Sequence, residues 1–473
     1  MTSAATLARP AQQVPRTHTW LPWPVAVLTG GVALSGSGRA SLNGDELATI
    51  SAASRSLSGL WELAQHIDGH FLPYYLFMHL WLKFGDAELW LRLPSAIAIG
   101  VAAWFLTDLG SRLQRKVTGA TAAGILAVLP SVSYYGAFAR SYAFAAAAVV
   151  FAFWALHRAL DNPRAGRWVV YGVAVALVCS THLFAVLTVP AHLFLVRRAI
   201  LARMFAALAA GSLPAVVLGL IGYGERHAIS WIPQRGPEVL LKFPKMAAGA
   251  AEVGLLLFAA ALVGAALLWR TRRAWALALL GWLVLPPVLL LAVSHLVTPV
   301  YVDRYLFVTA PALALLAAFA GSSLGRFGVG VAGTVLVAAG VLAFSTHLDV
   351  RDSNGRFEDF PGAIRRVHTE TGDALIFGQS SVRAGFDYYA EGPLPVDVLR
   401  RGLEPDIGGF GFPERPDVAR ALEGHDRVWL VWRGAKTAKL PRVKAVQDAG
   451  FALTSSWHSA ELPGLTVALF TRS

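Results

Sequence analysis

The stretch AEVGLLLFAAALVGAALLW (residues 251–269) holds one charged residue, Glu252, and is followed at once by the basic cluster RTRR (270–273). A second apolar stretch, WALALLGWLVLPPVLLLAVSHL (275–296), begins soon after the cluster. A helix needs about 20 apolar residues to cross a bilayer, and basic residues favour its cytoplasmic end. The two stretches therefore predict a pair of membrane-spanning helices joined on the cytoplasmic side.

Similar apolar runs recur along the first 346 residues. They lie at 21–38, 92–110, 117–135, 138–157, 168–181, 183–196, 203–223, 251–269, 275–296, 305–321 and 327–346. The chain of 473 residues is 55% hydrophobic and only 15% charged, whereas soluble proteins carry about 25% charged residues. This composition excludes a water-soluble enzyme and a disordered chain, and a single cysteine excludes an intramolecular disulfide. We predict a polytopic α-helical membrane protein with about 11 transmembrane helices.

The net charge of +12 is confined to the membrane part of the chain, because residues 347–473 are close to neutral. Basic residues between apolar runs are typical of the positive-inside rule rather than of a nucleic-acid site. We therefore expect no nucleic-acid partner.

The stretch Phe71 to Phe84 is short for a crossing and contains Pro73 and Lys83. If it does not cross, the basic clusters of the membrane part share one face with the N-terminal tail, as the positive-inside rule requires. We therefore predict a re-entrant or juxtamembrane helix here, in the first outside loop. The predicted topology is a cytoplasmic tail (1–20), a transmembrane domain (21–346) and an extracytoplasmic C-terminal domain (347–473) of a multi-pass plasma-membrane protein.

The composition changes at His347, where apolar runs shrink to strand length. Such runs lie at Ala374 to Phe377, Arg427 to Trp432 and Leu465 to Phe470, with helix-like polar stretches such as Phe360 to Thr371 between them. This alternation predicts a small α/β accessory domain. No Gly-rich phosphate loop and no metal-ligand spacing occurs in it, so no cofactor is assigned; the sequence does not indicate a divalent metal, although the chemistry below is compatible with one.

The first outside loop is rich in acids and carries the first candidate site residues. Asp45 and Glu46 follow the first apolar run and precede a helix-like stretch, Leu47 to Ser56. A carboxylate held there, close to the bilayer surface, is suited to accept a proton from a hydroxyl group. Other acids of the loop are equally consistent with a solvated surface.

Several polar residues lie at the outer ends of apolar runs, where an unpaired charge is costly. They are Arg140, His182 and Arg304, together with Trp231 in a loop of mixed basic and aromatic residues. Arg140 at such a position indicates function, but it is also consistent with a side chain that reaches the lipid head groups. Arg304 follows Asp303, so the two are also consistent with mutual neutralisation, and the loop of Trp231 suits a lipid phosphate or simple interfacial anchoring.

Several short motifs of the chain occur in the same order as the motifs of a known enzyme group. Asp45-Glu46, Asp68-Gly69-His70 before Pro73-Tyr74-Tyr75, Leu91-Arg92-Leu93-Pro94, Ala139-Arg140-Ser141-Tyr142 and Arg304-Tyr305-Leu306 follow one another in the chain. In this order they resemble the polytopic C-type glycosyltransferases of the protein O-mannosyltransferase and aminoarabinose transferase group, over about residues 20 to 345. Phe71 and Leu72 stand where the group often has two prolines, and Phe138 stands where it often has an acid.

The resemblance implies transfer of a sugar from a polyprenyl-phosphate carrier at the outer membrane face to a glycolipid, wall polysaccharide or protein. It implies Asp45 as catalytic base, with Glu46 beside it, and Arg140 and Arg304 as ligands of the donor phosphate. Tyr142 belongs to the same phosphate-binding motif. The sugar or acceptor site is expected to involve Asp68, His70, His182 and Trp231. Mannose is the default sugar, with arabinose or another hexose next, and we expect the reaction to invert the anomeric configuration.

Two other function classes fit parts of the pattern. A lipid or sugar transporter or flippase also carries polar residues in the membrane, but transporters commonly show repeats and charges near the bilayer midplane, whereas the polar groups here gather at one face. A non-catalytic subunit of an envelope-assembly complex accounts for the C-terminal domain but not for the acidic first loop. We therefore predict a glycosyltransferase rather than a transporter or an assembly subunit.

Overall fold

The computed structural model describes residues 20–322, 327–402, 404–435, 440–459 and 464–472. The predicted cytoplasmic tail, except for its last residue, lies outside the described residues.

The described chain is mainly helical. Its α-helices are α1 (Pro22–Leu34), α2 (Gly44–Ala53), α3 (Leu57–Leu63), α4 (Leu72–Trp81), α5 (Glu88–Leu113), α6 (Lys116–Val128), α7 (Pro130–Tyr135), α8 (Tyr142–Asp161), α9 (Ala165–Thr181), α10 (Leu201–Gly224), α11 (Phe243–Ala248), α12 (Ala251–Leu296), α13 (Ala310–Ser322), α14 (Gly328–Arg351), α15 (Phe360–Ile364), α16 (Arg383–Tyr389), α17 (Val418–Ala421) and α18 (Pro441–Asp448). Segments of 3₁₀-helix lie at Gly69–Phe71, Leu82–Phe84, Leu183–Leu195, Arg198–Ile200, Arg226–Ile229, Pro237–Lys242, Asp303–Thr309 and Ser380–Val382.

Among the described residues, six helical segments are long and apolar enough to cross a membrane. They are Glu88–Leu113, Tyr142–Asp161, Arg198–Gly224, Ala251–Leu296, Asp303–Gly321 and Gly328–Arg351, and shorter apolar helices lie at Pro22–Leu34, Lys116–Val128, Ala165–Thr181 and Leu183–Leu195. The 46 residues of α12 contain a break at Arg272, which has φ −145° and ψ 67°. The break falls inside the basic cluster between the two stretches predicted as separate helices. A polytopic helical architecture is thus confirmed, while the number of about 11 crossings remains a prediction.

Close helix packing in the apolar part depends on small residues. A Cβ atom on Gly264 of α12 would collide with the carbonyl oxygen of Leu316 in α13, and one on Gly119 of α6 would collide with that of Thr107 in α5. Membrane helices approach closely through such residues because lipid supplies no hydrophobic drive for their association. These contacts hold α12 against α13 and α5 against α6.

The stretch Phe71 to Phe84 forms the short helix α4 and a 3₁₀ turn. Ten residues of α-helix span only about 15 Å, half the thickness of the hydrocarbon core. Tyr74, Tyr75 and Met78 of this helix are buried in the protein. The short helix expected in the first loop is therefore present, and its backbone is too short to cross as an α-helix.

The C-terminal part contains one five-stranded sheet, as expected for a small α/β unit. Its strands are β1 (Ala374–Phe377), β2 (Val396–Asp397), β3 (Arg427–Arg433), β4 (Phe451–His458) and β5 (Leu465–Arg472), in the order β2-β1-β3-β5-β4. Strand β1 is parallel to β2 and β3, and β5 is antiparallel to β3 and β4. The three strands predicted from sequence are present. The helix expected over Phe360 to Thr371 ends at Ile364.

One face of this sheet packs against the loop between α1 and α5. Leu375, Phe377 and Val431 of the sheet belong to the same buried apolar cluster as Leu47 of α2 and Leu60 of α3. The sheet and the loop thus share a core. Helix α14, which leads into this part, continues past the predicted boundary at residue 347 and ends at Arg351.

Candidate functional site

Helix α2 begins with a capping box that fixes its first turn. The side chain of Asn43 accepts a hydrogen bond from the Glu46 backbone N–H at 3.1 Å, and the Glu46 carboxylate accepts one from the Asn43 N–H at 3.3 Å. Such a reciprocal pair satisfies two backbone donors that would otherwise lack partners at the start of a helix. Asp45 lies in this fixed turn, and its side chain keeps 30% of its surface exposed.

Asp45 is placed between two arginines from distant parts of the chain. Its Oδ1 lies 4.0 Å from Nη2 of Arg140, and its Oδ2 lies 3.5 Å from Nη1 of Arg304. The side chain of Arg140 is 6% exposed and that of Arg304 is 24% exposed. Arg140 is therefore buried rather than extended to the lipid head groups. Arg304 pairs with Asp45, which differs from the alternative of neutralisation by its neighbour Asp303.

Asp68 brings a second carboxylate to Arg140. Its Oδ2 lies 3.1 Å from Nη2 of Arg140 and accepts a hydrogen bond from the Tyr75 hydroxyl at 2.7 Å. Burial alone would raise the pKa of the Asp68 carboxyl, but the Arg140 cation, with His70 and Tyr75, outweighs burial and holds that pKa below its usual value. Asp68 thus remains an anion beside Arg140.

Glu46 is enclosed and does not share the exposure of Asp45. Its side chain is fully buried, and its two oxygens accept hydrogen bonds from Arg92 at 2.8 and 2.7 Å and from the Ala139 backbone N–H at 3.1 Å. Burial by itself would raise the pKa of Glu46, but the cations of Arg92 and Arg356 and these hydrogen bonds lower it to about 2. The prediction that Glu46 is catalytic together with Asp45 therefore does not fit this position. Glu46 is paired internally with Arg92 and also caps α2.

His182 lies near Arg140 and Arg304. His182 is 1% exposed, and its Nδ1 accepts a hydrogen bond from the Phe184 backbone N–H at 3.2 Å. Burial lowers the pKa of His182 well below its usual value, and the nearby charges of His70, Arg140 and Arg304 add to this effect, so the ring is neutral. With Nδ1 acting as acceptor, the proton of the neutral ring resides on Nε2.

His70 contacts an acid that the sequence reading did not select. Its Nδ1 lies 3.9 Å from Oε2 of Glu225, and both oxygens of Glu225 lie 2.9 Å from the Gly69 backbone nitrogen. Glu225 is 8% exposed. This carboxylate therefore fixes the segment that joins Asp68 to α4.

Tyr142 and Trp231 occupy different positions around the arginines. Tyr142 is buried, and its ring centroid lies 5.4 Å from that of His182. Trp231 is 60% exposed, and the guanidinium carbon of Arg304 lies 5.6 Å from its ring centroid. The structure thus brings Asp45, Asp68, Arg140, Arg304 and His182 into one cluster, with Tyr142 in its wall and Trp231 at its rim.

Several buried nitrogens of this cluster have no hydrogen-bond partner among the described residues. They are Nε of Arg140, Nε of Arg304 and Nε2 of both His70 and His182. Buried polar groups are normally paired, because leaving one unpaired costs about 1–3 kcal/mol. Unpaired donors next to two guanidinium groups are suited to the oxygens of an anionic ligand.

A metal site is not formed by the described part of the chain. No group of three or more His, Cys, Asp or Glu side chains is close enough there to hold a metal ion.

Besides Glu225, the sequence analysis did not select four further residues that the structure places near the site. Tyr75 and Arg92 stand in motifs quoted for the resemblance, so their positions carried a signal. Arg356 and Glu358, described below, follow the last apolar run, where the resemblance ends and no pattern marks them.

Comparison with known proteins adds to this geometry. Residues 71–222 match the family model described as dolichyl-phosphate-mannose-protein mannosyltransferase. The resemblance predicted from sequence is confirmed. No curated protein matches the chain at the level of sequence.

Solved structures match over nearly the whole chain. The crystal structure of ArnT from Cupriavidus metallidurans bound to undecaprenyl phosphate is 15% identical, has a TM-score of 0.56, and the match covers 95% of this chain and 97% of that one. The apo structure of the same protein has a TM-score of 0.55, with the same identity and coverage. A mycobacterial arabinofuranosyltransferase, AftD, is 16% identical with a TM-score of 0.49, covering 95% of this chain and 41% of its own. The two ArnT structures show that the chain has their fold.

Proposed function

We propose that this chain is a membrane glycosyltransferase that moves a sugar from a polyprenyl-phosphate carrier to an acceptor outside the cytoplasm. The observation that carries the proposal is the position of the partly exposed Asp45 carboxylate between the guanidinium groups of Arg140 and Arg304, at 4.0 and 3.5 Å. The sugar is a mannose-like hexose or arabinose, and the acceptor is a glycolipid, a wall polysaccharide or a protein. The mannosyltransferase family match and the undecaprenyl phosphate bound by ArnT support the class of donor.

The two arginines bind the donor phosphate in this mechanism. As the bond between the anomeric carbon and the phosphate oxygen breaks, its electron pair passes to that oxygen and negative charge develops there. Fixed guanidinium groups stabilise such charge more in the transition state than in the ground state, which is the requirement for catalysis. The unpaired Nε–H groups of Arg140 and Arg304 supply further donors.

Asp45 acts as the general base. An acceptor hydroxyl attacks the anomeric carbon from the face opposite the phosphate, and its proton passes to the Asp45 carboxylate. A new carbon–oxygen bond forms as the phosphate bond breaks, so one displacement inverts the configuration. Asp68 remains paired with Arg140 and Tyr75 and orients that arginine. Glu46 acts as a positioning residue that holds α2 against Arg92.

Donor turnover is tested with purified protein in lipid nanodiscs, radiolabelled polyprenyl-phosphate sugars and a membrane extract as acceptor. We expect label to move to an extract component from one sugar, with an inverted anomeric configuration by NMR of the isolated product. Asp45→Asn should abolish most of this transfer in the same preparation. A wild-type protein that neither transfers nor hydrolyses any of the sugars would overturn the proposal. Protein-dependent movement of intact donor across the bilayer of sealed proteoliposomes would favour a flippase instead.

A further inference from the structure

The first residues after helix α14 contact both loops of the candidate site. Glu358 contacts the start of α2, which carries Asp45, and Arg356 contacts the short link before α8, which carries Arg140. The sequence predicts that residues 347–473 form an accessory domain. Two contacts this close to the candidate base and phosphate ligand indicate a more direct role.

Glu358 holds the residue directly before Asp45. Its Oε2 accepts a hydrogen bond from the Gly44 backbone N–H at 2.8 Å, and its Oε1 lies 2.5 Å from Nε of Arg433 in strand β3. Its own backbone carbonyl accepts a hydrogen bond from the Ser41 hydroxyl. The side chain is 8% exposed. A buried, arginine-paired carboxylate therefore anchors the turn that presents Asp45.

Arg356 holds the second loop. It is 2% exposed, and its Nη2 donates a hydrogen bond to the Ala137 carbonyl at 2.7 Å. Its guanidinium carbon lies 5.1 Å from the ring centroid of Tyr134 and 5.2 Å from that of Phe138. Contacts between a guanidinium group and aromatic faces are favourable, more so where water is excluded. Arg356 thus fixes the backbone just before Arg140.

Phe357, between these two residues, has a strained backbone. Its φ is +68°, in the left-handed region that bulky side chains rarely adopt. Such strain persists only where surrounding contacts fix the conformation, and it concentrates at functional sites. In the described chain the other non-glycine residue with positive φ is Asp68, which belongs to the same site. The strain at Phe357 turns its two neighbours toward different loops.

The contact between Gly44 and Arg433 leaves no space at the start of α2. A Cβ atom on Gly44 would come within 2.5 Å of Nη2 of Arg433 and 3.6 Å of Oε2 of Glu358. The sheet and α2 also share one apolar core through residues such as Leu47 and Val431. The C-terminal part is therefore packed directly against the turn of Asp45.

We propose that residues 356–358 form a brace that fixes the position of Asp45 relative to Arg140, with Glu358 and Arg356 as positioning residues. The inference rests on the proposed function, because it assigns this spacing to the base and the donor phosphate. A displacement of about 1 Å in a reacting group can lower a rate by about 10²-fold. Glu358, which fixes the turn of Asp45, accordingly acts on turnover rather than on donor binding, and the brace makes the C-terminal part necessary for the geometry of the site.

The Glu358 arm is tested with full-length Glu358→Ala and Glu358→Gln variants in nanodiscs. We expect Glu358→Ala to speed hydrogen–deuterium exchange in residues 42–48 and to lower kcat roughly 10- to 100-fold, with the donor KM within about twofold of wild type. Glu358→Gln should recover part of both losses, because its amide oxygen still accepts the Gly44 N–H. Glu414→Ala is the matched control, since Glu414 is also a largely buried carboxylate in the C-terminal part, paired with Arg383 and Arg442.

The Arg356 arm is tested in the same way with Arg356→Lys. Lysine keeps the charge but loses the planar group that lies beside the rings of Tyr134 and Phe138 and reaches the Ala137 carbonyl. We expect faster hydrogen–deuterium exchange in residues 134–141 and a lower kcat. Exchange in residues 42–48, which Glu358 contacts, should change little.

The outcomes separate the brace from the proposed function. Unchanged exchange around Asp45 in Glu358→Ala, or an equal loss of kcat in Glu414→Ala, would overturn the brace and leave only a general folding role. If the wild-type protein turned over no donor, the proposed function would fail, whereas the exchange measurements would still decide whether Glu358 and Arg356 fix the two loops.

Discussion

Oδ2 of Asp45 lies 3.5 Å from Nη1 of Arg304, although the two residues belong to opposite ends of the membrane part of the chain. In this arrangement the candidate base is paired with a group that the mechanism also assigns to the donor phosphate. A phosphate that takes over Arg304 would release the carboxylate to accept a proton. Binding of the donor would then prepare the base, which limits proton removal to the loaded site.

Replacement of Asp45 tests its role as base. Asp45→Asn keeps the size and hydrogen-bonding capacity of the side chain but removes its ability to take a proton. We expect kcat to fall by about 10² to 10⁴-fold, with donor binding retained, measured by radiolabel transfer and by calorimetric titration with polyprenyl phosphate. Asp86→Asn is the control, because Asp86 is an exposed acid of the same loop. Near-normal transfer by a folded Asp45→Asn protein would move the role to another carboxylate.

Replacement of the arginines tests the phosphate site. Arg140→Lys keeps the positive charge but loses the planar fork, so we expect weaker donor binding at unchanged net charge. Arg304→Ala should also weaken binding, because it removes a guanidinium group from the same cluster. Arg226→Ala is a suitable control, since the guanidinium group of Arg226 donates a hydrogen bond to the Tyr223 carbonyl and lies over the ring of the same residue. Unchanged polyprenyl-phosphate affinity in both site variants would disprove the assignment.

Glu46 should make the folded protein sensitive to acid. Its pKa is lowered from 4.5 to about 2 by Arg92 and Arg356 against the effect of burial. A group with a lowered folded-state pKa stabilises the fold fully above its usual pKa, and this stability is lost as the pH falls toward the lowered value. The shift corresponds to about 3 kcal/mol, so we expect the stability advantage of wild type over Glu46→Gln to shrink between about pH 5 and pH 2.

Thermal unfolding in detergent at several pH values measures this difference. Loss of the Glu46 carboxylate leaves Arg92 buried without its anion, which costs about 3–5 kcal/mol near neutral pH. The double variant Glu46→Leu with Arg92→Met removes both charges and should restore much of the stability. Equal stability of wild type and Glu46→Gln at every pH would contradict the internal ion pair of Glu46 with Arg92.

The predicted orientation can be tested on intact cells. We expect a cysteine introduced at Arg115 to resist an impermeant thiol reagent, and one introduced at Gly166 to behave in the same way, because both lie in predicted cytoplasmic links. A cysteine at His227, in a predicted outside loop, should react. Cys179 is buried and serves as the unreactive background. Labelling in the reverse pattern would show that the first loop crosses the membrane after all.

Hydropathy alone predicted where the long apolar helices lie, but not the division of residues 117–135 into α6 and α7 or the 3₁₀ form of Leu183–Leu195. Apolar runs such as 203–223 correspond to observed helices, because the length of a crossing helix is set by bilayer thickness rather than by tertiary contacts. The break at Arg272 was visible as a basic cluster. The strands Ala374–Phe377 and Leu465–Arg472 were also visible, since they are buried apolar runs, whereas the more exposed strand Phe451–His458 lacked that signal.

The residue types of the candidate site were also present in the sequence. Asp45, Arg140 and Arg304 stand in short motifs beside apolar runs, and the cost of a charge at such positions marks them as paired or functional. Their order in the chain carried the resemblance, and the family match over residues 71–222 contains Arg140 but not Asp45 or Arg304. Sequence could not separate Asp45 from Glu46, because adjacent residues of a helix point about 100° apart and only the packing of the helix decides which of the two directions is buried.

Tertiary structure decided which charges meet. It paired Glu46 with the buried Arg92, left Asp45 partly exposed, and brought Glu358 from the C-terminal part to the Gly44 amide. The sequence by itself determined a polytopic helical protein with charged residues beside its apolar runs, because bilayer thickness and charge cost act on each segment separately. The pairing of those charges was fixed only by the fold, because it depends on contacts between residues that are far apart in the chain, which no local pattern encodes.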